Sequence, residues 1–181
     1  MGMRRSIGKR EKGSDLTVLA CSKASAESFE SNAPWSMISI GTDPNDLPEF
    51  QESEKFVGIS RYIFHDLSDP EWFGHRYAGR HYFQRSQAIE ILSFVAEVRE
   101  LSSILIVHCD AGISRSAGVA AALGLILNGR GGDRRFFSPP YVPNMHVYRL
   151  LLDTYSEIVG EDTARRTFIS DGPGPRFRVR R

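Results

Sequence analysis

The chain has 181 residues and a mass of 20.3 kDa, which suits one globular domain. Hydrophobic residues make up 41% and charged residues 25%, so general disorder is excluded. The formal net charge of +1 gives no reason to expect nucleic acid as a partner. The longest apolar run, 117–127, is shorter than the roughly 18 residues of a membrane span.

The two cysteines, Cys21 and Cys109, are too few for a disulfide scaffold, which favours a reducing, cytoplasmic compartment. The first residues lack the apolar segment of a secretory signal. Gly2 and Ser6 fit the N-myristoylation pattern, but so short a pattern is often met by chance. A flexible basic leader over 1–14 is the preferred interpretation. The histidines lack metal-ligand spacing, so neither a metal nor a cofactor is expected.

Strands and helices are predicted to alternate along the chain. Short apolar runs, partly β-branched, predict buried strands over 16–20, 36–41, 57–64 and 103–108. Periodic apolar residues predict helices over 86–100 and over 145–159, the latter capped by Asn144. A run of small and aliphatic residues predicts a buried helix from 116 to about 128. This order predicts an α/β fold whose mostly parallel central sheet is flanked by helices. A single domain is expected over 15–160, followed by a basic tail over 161–181.

The most informative segment is HCDAGISRS, residues 108–116, between a predicted central strand and a buried helix. A tight loop leading into a helix N-terminus binds anions, because backbone N–H groups point inward and the helix dipole adds positive potential. Gly112 permits a positive φ or a close backbone approach. The loop therefore predicts a phosphate site formed by Asp110, Ala111, Gly112, Ile113, Ser114 and Arg115.

Cys109 and Arg115 supply the reactive groups of this loop. A thiol at a helix N-terminus near cations is expected to ionise at neutral pH and become nucleophilic. The planar guanidinium of Arg115 can bind two phosphate oxygens at once, and the Ser116 hydroxyl can reach the sulfur. An inert buried cysteine is the common alternative. A cation at a helix N-terminus is unfavourable unless an anion binds there, which favours the functional interpretation.

Residues 108–116 match the H-C-x-x-G-x-x-R-[ST] signature of the protein tyrosine phosphatase superfamily. With the Phe64-His65-Asp66 turn before it and the Pro143-Asn144 turn after it, the chain resembles the compact dual-specificity branch, and in particular its bacterial and phage-type members. The resemblance covers about 16–159.

The resemblance implies metal-free hydrolysis of phosphate monoesters through a phosphocysteine intermediate. Cys109 would be the nucleophile, Arg115 would bind the phosphate and Ser116 would stabilise the departing thiolate. His108 and Asn144 would support the loop.

Two aspartates are candidates for the general acid that the resemblance implies. Asp66 occupies the position of the family's acid and is preferred, whereas Asp69 is the alternative. Both lie further ahead of Cys109 than in the shortest family members. This spacing suggests an insertion around 72–82 that forms a rim or lid.

The expected substrates are phosphorylated proteins or peptides, because the acidic Asp110 beside the nucleophile disfavours polyanionic head groups. Three alternatives stay open: a phosphatase of small-molecule, lipid or nucleic-acid 5′-phosphates, a pseudo-phosphatase that binds phosphate without turnover, and sulfur transfer of the rhodanese type. Cys21 is interpreted as a strand hydrophobe, with a disulfide to Cys109 as the rarer alternative. The sequence predicts no particular oligomeric state.

Overall fold

The computed structural model describes residues 16–50, 53–68 and 81–179. Four strands form one sheet in the order β1-β4-β2-β3, and every neighbouring pair is parallel. The strands are β1 (Thr17–Ser22), β2 (Trp35–Gly41), β3 (Phe56–Ile63) and β4 (Ile104–Cys109). The predicted α/β fold with a parallel central sheet is confirmed.

Helices surround this sheet. Within the described residues they are α1 (Lys23–Glu27), α2 (Arg85–Val98), α3 (Arg115–Asn128), α4 (Met145–Val159) and α5 (Glu161–Ile169), with 3₁₀ turns at Pro44–Asp46 and Arg134–Phe137. Among the described helices, none has the length and apolar character that a membrane span requires. The short α1 was not predicted from the sequence.

The strand β4 lies between β1 and β2, and its residues from 105 onwards are buried. A central parallel strand is covered on both faces, which explains its continuous apolar run. One face carries the main core beneath α2, α3 and α4, whereas a smaller cluster around Trp35, Met37 and Ile106 fills the other face.

The helix α3 is buried along nearly its whole length. Its small residues allow close packing: a Cβ on Gly118 would lie 2.7 Å from the carbonyl oxygen of Asn144. The N-termini of α3 and α4 therefore meet beside the carboxyl end of β4, where the loop 110–114 lies.

The segment 161–179 packs on the domain rather than extending into solvent. Ala164 in α5 is buried, and the ring of Phe177 lies 5.2 Å from that of Tyr155. The guanidinium of Arg99 donates to the carbonyl oxygen of Pro175 at 3.0 Å. These residues pack against the domain because their apolar side chains complete the core beside α4.

Candidate active site

The loop 110–114 joins β4 to α3 and packs directly on the end of β1. Gly112 has a φ of +76°, a conformation that L side chains rarely adopt. A Cβ at this position would lie 2.3 Å from the carbonyl carbon of Cys21 and 2.4 Å from the backbone nitrogen of Ser22. Both the backbone conformation and the close approach therefore require glycine.

Several carbonyl oxygens of this loop accept hydrogen bonds from neighbouring backbone. The Asp110 oxygen accepts from the N–H of Lys23 at 3.2 Å, the Ile113 oxygen from Val142 at 3.0 Å, and the Ser114 oxygen from Asn144 at 3.1 Å. The C=O and N–H of a trans peptide point in opposite directions. The N–H groups of residues 111, 114 and 115 therefore point away from these neighbours.

Cys109 is the last residue of β4 and is buried. Its Sγ lies 3.2 Å from Oγ of Ser116, which belongs to the first turn of α3 and is also buried. The hydroxyl is thus placed to donate to a thiolate at this position.

His108 is buried beside β2, where its Nε2 lies 2.7 Å from Oγ of Ser39. The two residues are register partners in the β2–β4 pair. Burial lowers the pKa of the His108 imidazole from 6.5 to about 4. The ring is therefore neutral at physiological pH and is suited to a supporting role rather than to carrying protons.

Arg115 is 5% exposed, and its guanidinium points back over the loop towards β3. Its Nη1 donates to the carbonyl oxygen of Phe64 at 2.9 Å, and its Nη2 donates to Oδ2 of Asp110 at 2.5 Å. Its Nε is buried and has no hydrogen-bond partner among the residues that the structure describes. The edge formed by Nε and Nη2 therefore retains a buried donor that is able to bind an anion.

Asp66 lies at the start of the turn that follows β3 and contacts the same loop. Its Oδ1 accepts from Oγ of Ser114 at 2.8 Å and from Nδ2 of Asn144 at 2.7 Å. The chain comes back to this turn at His81, where the carbonyl oxygen of His81 accepts a hydrogen bond from the N–H of His65 at 2.6 Å. Asp66 is thus brought to the loop although it lies 43 positions before Cys109 in the chain.

Asp69 and most of the expected insertion, 72–80, lie outside the described residues. From the remainder of that segment, Tyr82 is partly exposed, and its ring lies edge-on to His146 at 6.1 Å.

Sequence reasoning missed three contributions to this site. Ser39 is the partner of His108, and the sequence signal was available: Ser36 and Ser39 interrupt an otherwise apolar strand, and both are fully buried. The hydroxyl of Ser114 contacts Asp66, whereas only its backbone was expected to act. The carbonyl group of Phe64 contacts Arg115 through the backbone, which leaves no signal in the side-chain pattern.

Cys21 is separate from the chemistry of Cys109. In the β1–β4 register Cys21 pairs with His108, so its side chain and that of Cys109 project from opposite faces of the sheet. Both thiols are free, and a disulfide between them under oxidation stays the alternative. Burial, followed by the charge of Cys109, raises the pKa of the Cys21 thiol to about 11. The interpretation of Cys21 as a strand hydrophobe agrees with this environment.

No family model matches the chain. The chain is similar to the dual specificity protein phosphatase Mpk3 of Drosophila melanogaster, with 36% identity over 74 residues. The match covers 38% of this chain and 18% of the length of that relative. The bacterial and phage-type branch stays a prediction. This partial similarity supports placing the chain in the superfamily of tyrosine and dual-specificity phosphatases.

Proposed function

We propose that the chain hydrolyses phosphate monoesters on proteins through a phosphocysteine intermediate at Cys109, without a metal ion. The observation that carries this proposal is the side chain of Arg115, a buried guanidinium whose Nε has no partner in the described structure. An unsatisfied donor on a buried cation is costly, and an oxyanion would satisfy it. The partial similarity to a dual specificity phosphatase supports the same reaction class.

In the first step the Cys109 thiolate attacks phosphorus. The S–P bond forms, the P–O bond of the ester breaks, and a carboxylic acid donates its proton to the leaving oxygen. The guanidinium of Arg115 and the N–H groups of residues 111, 114 and 115 are the donors for the non-bridging oxygens. These N–H groups are held in position because the outward-facing carbonyl groups of the same loop accept hydrogen bonds from neighbouring backbone.

In the second step the carboxylate takes a proton from water, and the water oxygen bonds to phosphorus. The S–P bond breaks, which returns the thiolate and releases inorganic phosphate. The hydroxyl of Ser116, 3.2 Å from Sγ, would donate to the departing thiolate of Cys109.

Asp66 is the acid that we propose. Ser114 and Asn144 both donate to its Oδ1, so Oδ2 remains available to carry the proton. Asp69 remains the alternative acid.

Phosphotyrosine and phosphoserine or phosphothreonine of proteins are the proposed substrates. Ile113 is 39% exposed and Val142 is 69% exposed, and the two are joined by a backbone hydrogen bond. They offer an apolar surface beside the loop for the aromatic ring or neighbouring side chains of a peptide. The proposed compartment is the reducing cytoplasm, where the thiol of Cys109 stays free.

Hydrolysis of phosphotyrosyl and phosphothreonyl peptides tests this proposal. We expect activity in the presence of EDTA, no activity in Cys109→Ser, and incorporation of substrate phosphate at Cys109 of the wild-type protein. Activity in Cys109→Ser, or its loss on chelation, would contradict the mechanism. Binding of the peptides without turnover by the wild-type chain would identify a pseudo-phosphatase instead.

Separate Asp66→Asn and Asp69→Asn variants identify the acid. We expect Asp66→Asn to lower kcat by about 10²–10⁴ and Asp69→Asn to change it little. The opposite result would assign the role to Asp69.

A further inference from the structure

The carboxylate of Asp110 contacts the guanidinium on the edge that an oxyanion would use. Nε and Nη2 of Arg115 lie on one edge of the planar group, and a bidentate anion needs both donors of an edge. Nε is unpartnered, but Nη2 donates to Oδ2 of Asp110 at 2.5 Å. One half of this edge is therefore already bonded to an anion of the protein itself.

The guanidinium has little freedom to present another edge. Its Nη1 donates to the carbonyl oxygen of Phe64, a fully buried residue whose ring packs 4.9 Å from that of Phe83. The Arg115 side chain is 6% exposed, whereas that of Asp110 is 46% exposed. When a phosphate binds bidentately, the side chain that moves is therefore that of Asp110.

The backbone of Asp110 is held by a hydrogen bond, whereas its side chain is partly exposed. Its carbonyl oxygen accepts from the N–H of Lys23 at 3.2 Å, so release of Arg115 needs no movement of the loop. The ammonium group of Lys23 forms an ion pair with Asp46. The hydrogen bond to Asp46 is the main reason that the Lys23 pKa is raised, and the charge of Asp110 contributes less. After release, the negative charge of Asp110 remains at the mouth of the site.

We propose that Asp110 is a specificity-determining residue whose carboxylate competes with the substrate phosphate for Arg115. This inference rests on the proposed function. The competition weakens binding of every phosphate, including the inorganic phosphate product, and thereby favours product release. It weakens binding of polyphosphorylated ligands further, because the displaced carboxylate faces their additional phosphates.

Titration with inorganic phosphate tests the competition without requiring turnover. Its dissociation constant is measured by calorimetry for the wild-type protein, Asp110→Asn and Asp110→Ala, and its inhibition constant is measured against para-nitrophenyl phosphate hydrolysis. We expect both variants to bind phosphate about tenfold more tightly or better, since a competing ion pair and a like charge are removed. Glu27→Gln is the matched control: it removes a negative charge of α1 that acts on Lys23 but leaves the Lys23–Asp46 ion pair in place, and we expect less than about a twofold change.

If the wild-type protein binds phosphate and hydrolyses the ester, but both Asp110 variants bind phosphate equally well or more weakly, the inference is overturned. The proposed function would then stay intact. Equal tightening by Glu27→Gln would also overturn it, because a long-range charge effect would then suffice. If the wild-type protein neither binds phosphate nor hydrolyses the ester, the proposed function itself fails.

Discussion

The side-chain amide of Asn144 donates a 2.7 Å hydrogen bond to Oδ1 of Asp66 and so joins the start of α4 to the turn after β3. The same side chain accepts from the N–H of Val147 at 3.1 Å and caps α4. Through its backbone, Asn144 also donates to the carbonyl oxygen of Ser114. This residue therefore links the helix, the loop and the proposed acid.

Substitution separates the capping role of Asn144 from its contact with Asp66. We expect Asn144→Ala to lower the unfolding free energy by about 1 kcal/mol, because the helix cap is lost. We expect it to lower kcat about tenfold, because the hydrogen bond that positions Asp66 is lost. Asn144→Ser retains a capping hydroxyl but is too short to reach Asp66, so it should recover the stability and not the activity. Urea titration and peptide assays measure the two effects. A wild-type kcat in Asn144→Ser would show that the contact with Asp66 is unimportant.

Ser116→Ala is expected to slow the second chemical step. Without the hydroxyl beside Sγ, the departing thiolate loses one hydrogen bond. The rate of phosphocysteine breakdown should therefore fall by about 10- to 100-fold. Rapid mixing with para-nitrophenyl phosphate should then show a burst of nitrophenol followed by slow turnover. Ser114→Ala is the comparison, since its hydroxyl contacts Asp66 and not the sulfur. A burst of equal size in both variants would contradict the separate roles.

Gly112→Ala should displace the loop. The added Cβ would meet the backbone of Cys21 at 2.3 Å in a residue whose φ is +76°. A displacement of the catalytic groups by about 1 Å is expected to lower kcat/KM by about 100-fold. Gly160→Ala is the matched control, because Gly160 also has a positive φ of +85° but nothing lies within 4 Å of its Cβ, at the far end of α4. Its activity should stay near wild type although its unfolding free energy falls by about 1–3 kcal/mol. Comparable loss of activity in both variants would refute the steric explanation.

The buried imidazole of His108 predicts a pH dependence of stability. Its pKa is about 4 in the folded protein and about 6.5 when unfolded, so the unfolded chain binds the extra proton between these values. Unfolding free energy should therefore fall as the pH is lowered from 7 to 5, by about 2 kcal/mol from this residue. Urea titrations at both pH values measure the change, and His108→Asn should reduce it by that amount. An equal pH dependence in His108→Asn would assign the effect to other groups.

The local patterns that predicted the fold also located the loop. The apolar run of β4 and the small residues of α3 placed strand, loop and helix in the correct order, because burial on both faces leaves a continuous apolar signal. The predicted N-cap, Asn144, lies directly before α4, which begins at Met145. The packing of Phe177 was missed, because a short basic segment carries no periodic apolar pattern that indicates a buried ring.

By itself the sequence determined the parallel α/β order and the identity of the loop residues, since these depend on local pattern, and it indicated that Gly112 permits a positive φ or a close backbone approach. Only the tertiary structure decided which distant groups meet: Asp66 with Ser114, and Arg115 with the Phe64 carbonyl and the Asp110 carboxylate. Such contacts depend on strand order and on side-chain rotation about a fixed backbone. Neither leaves a trace in residue spacing along the chain.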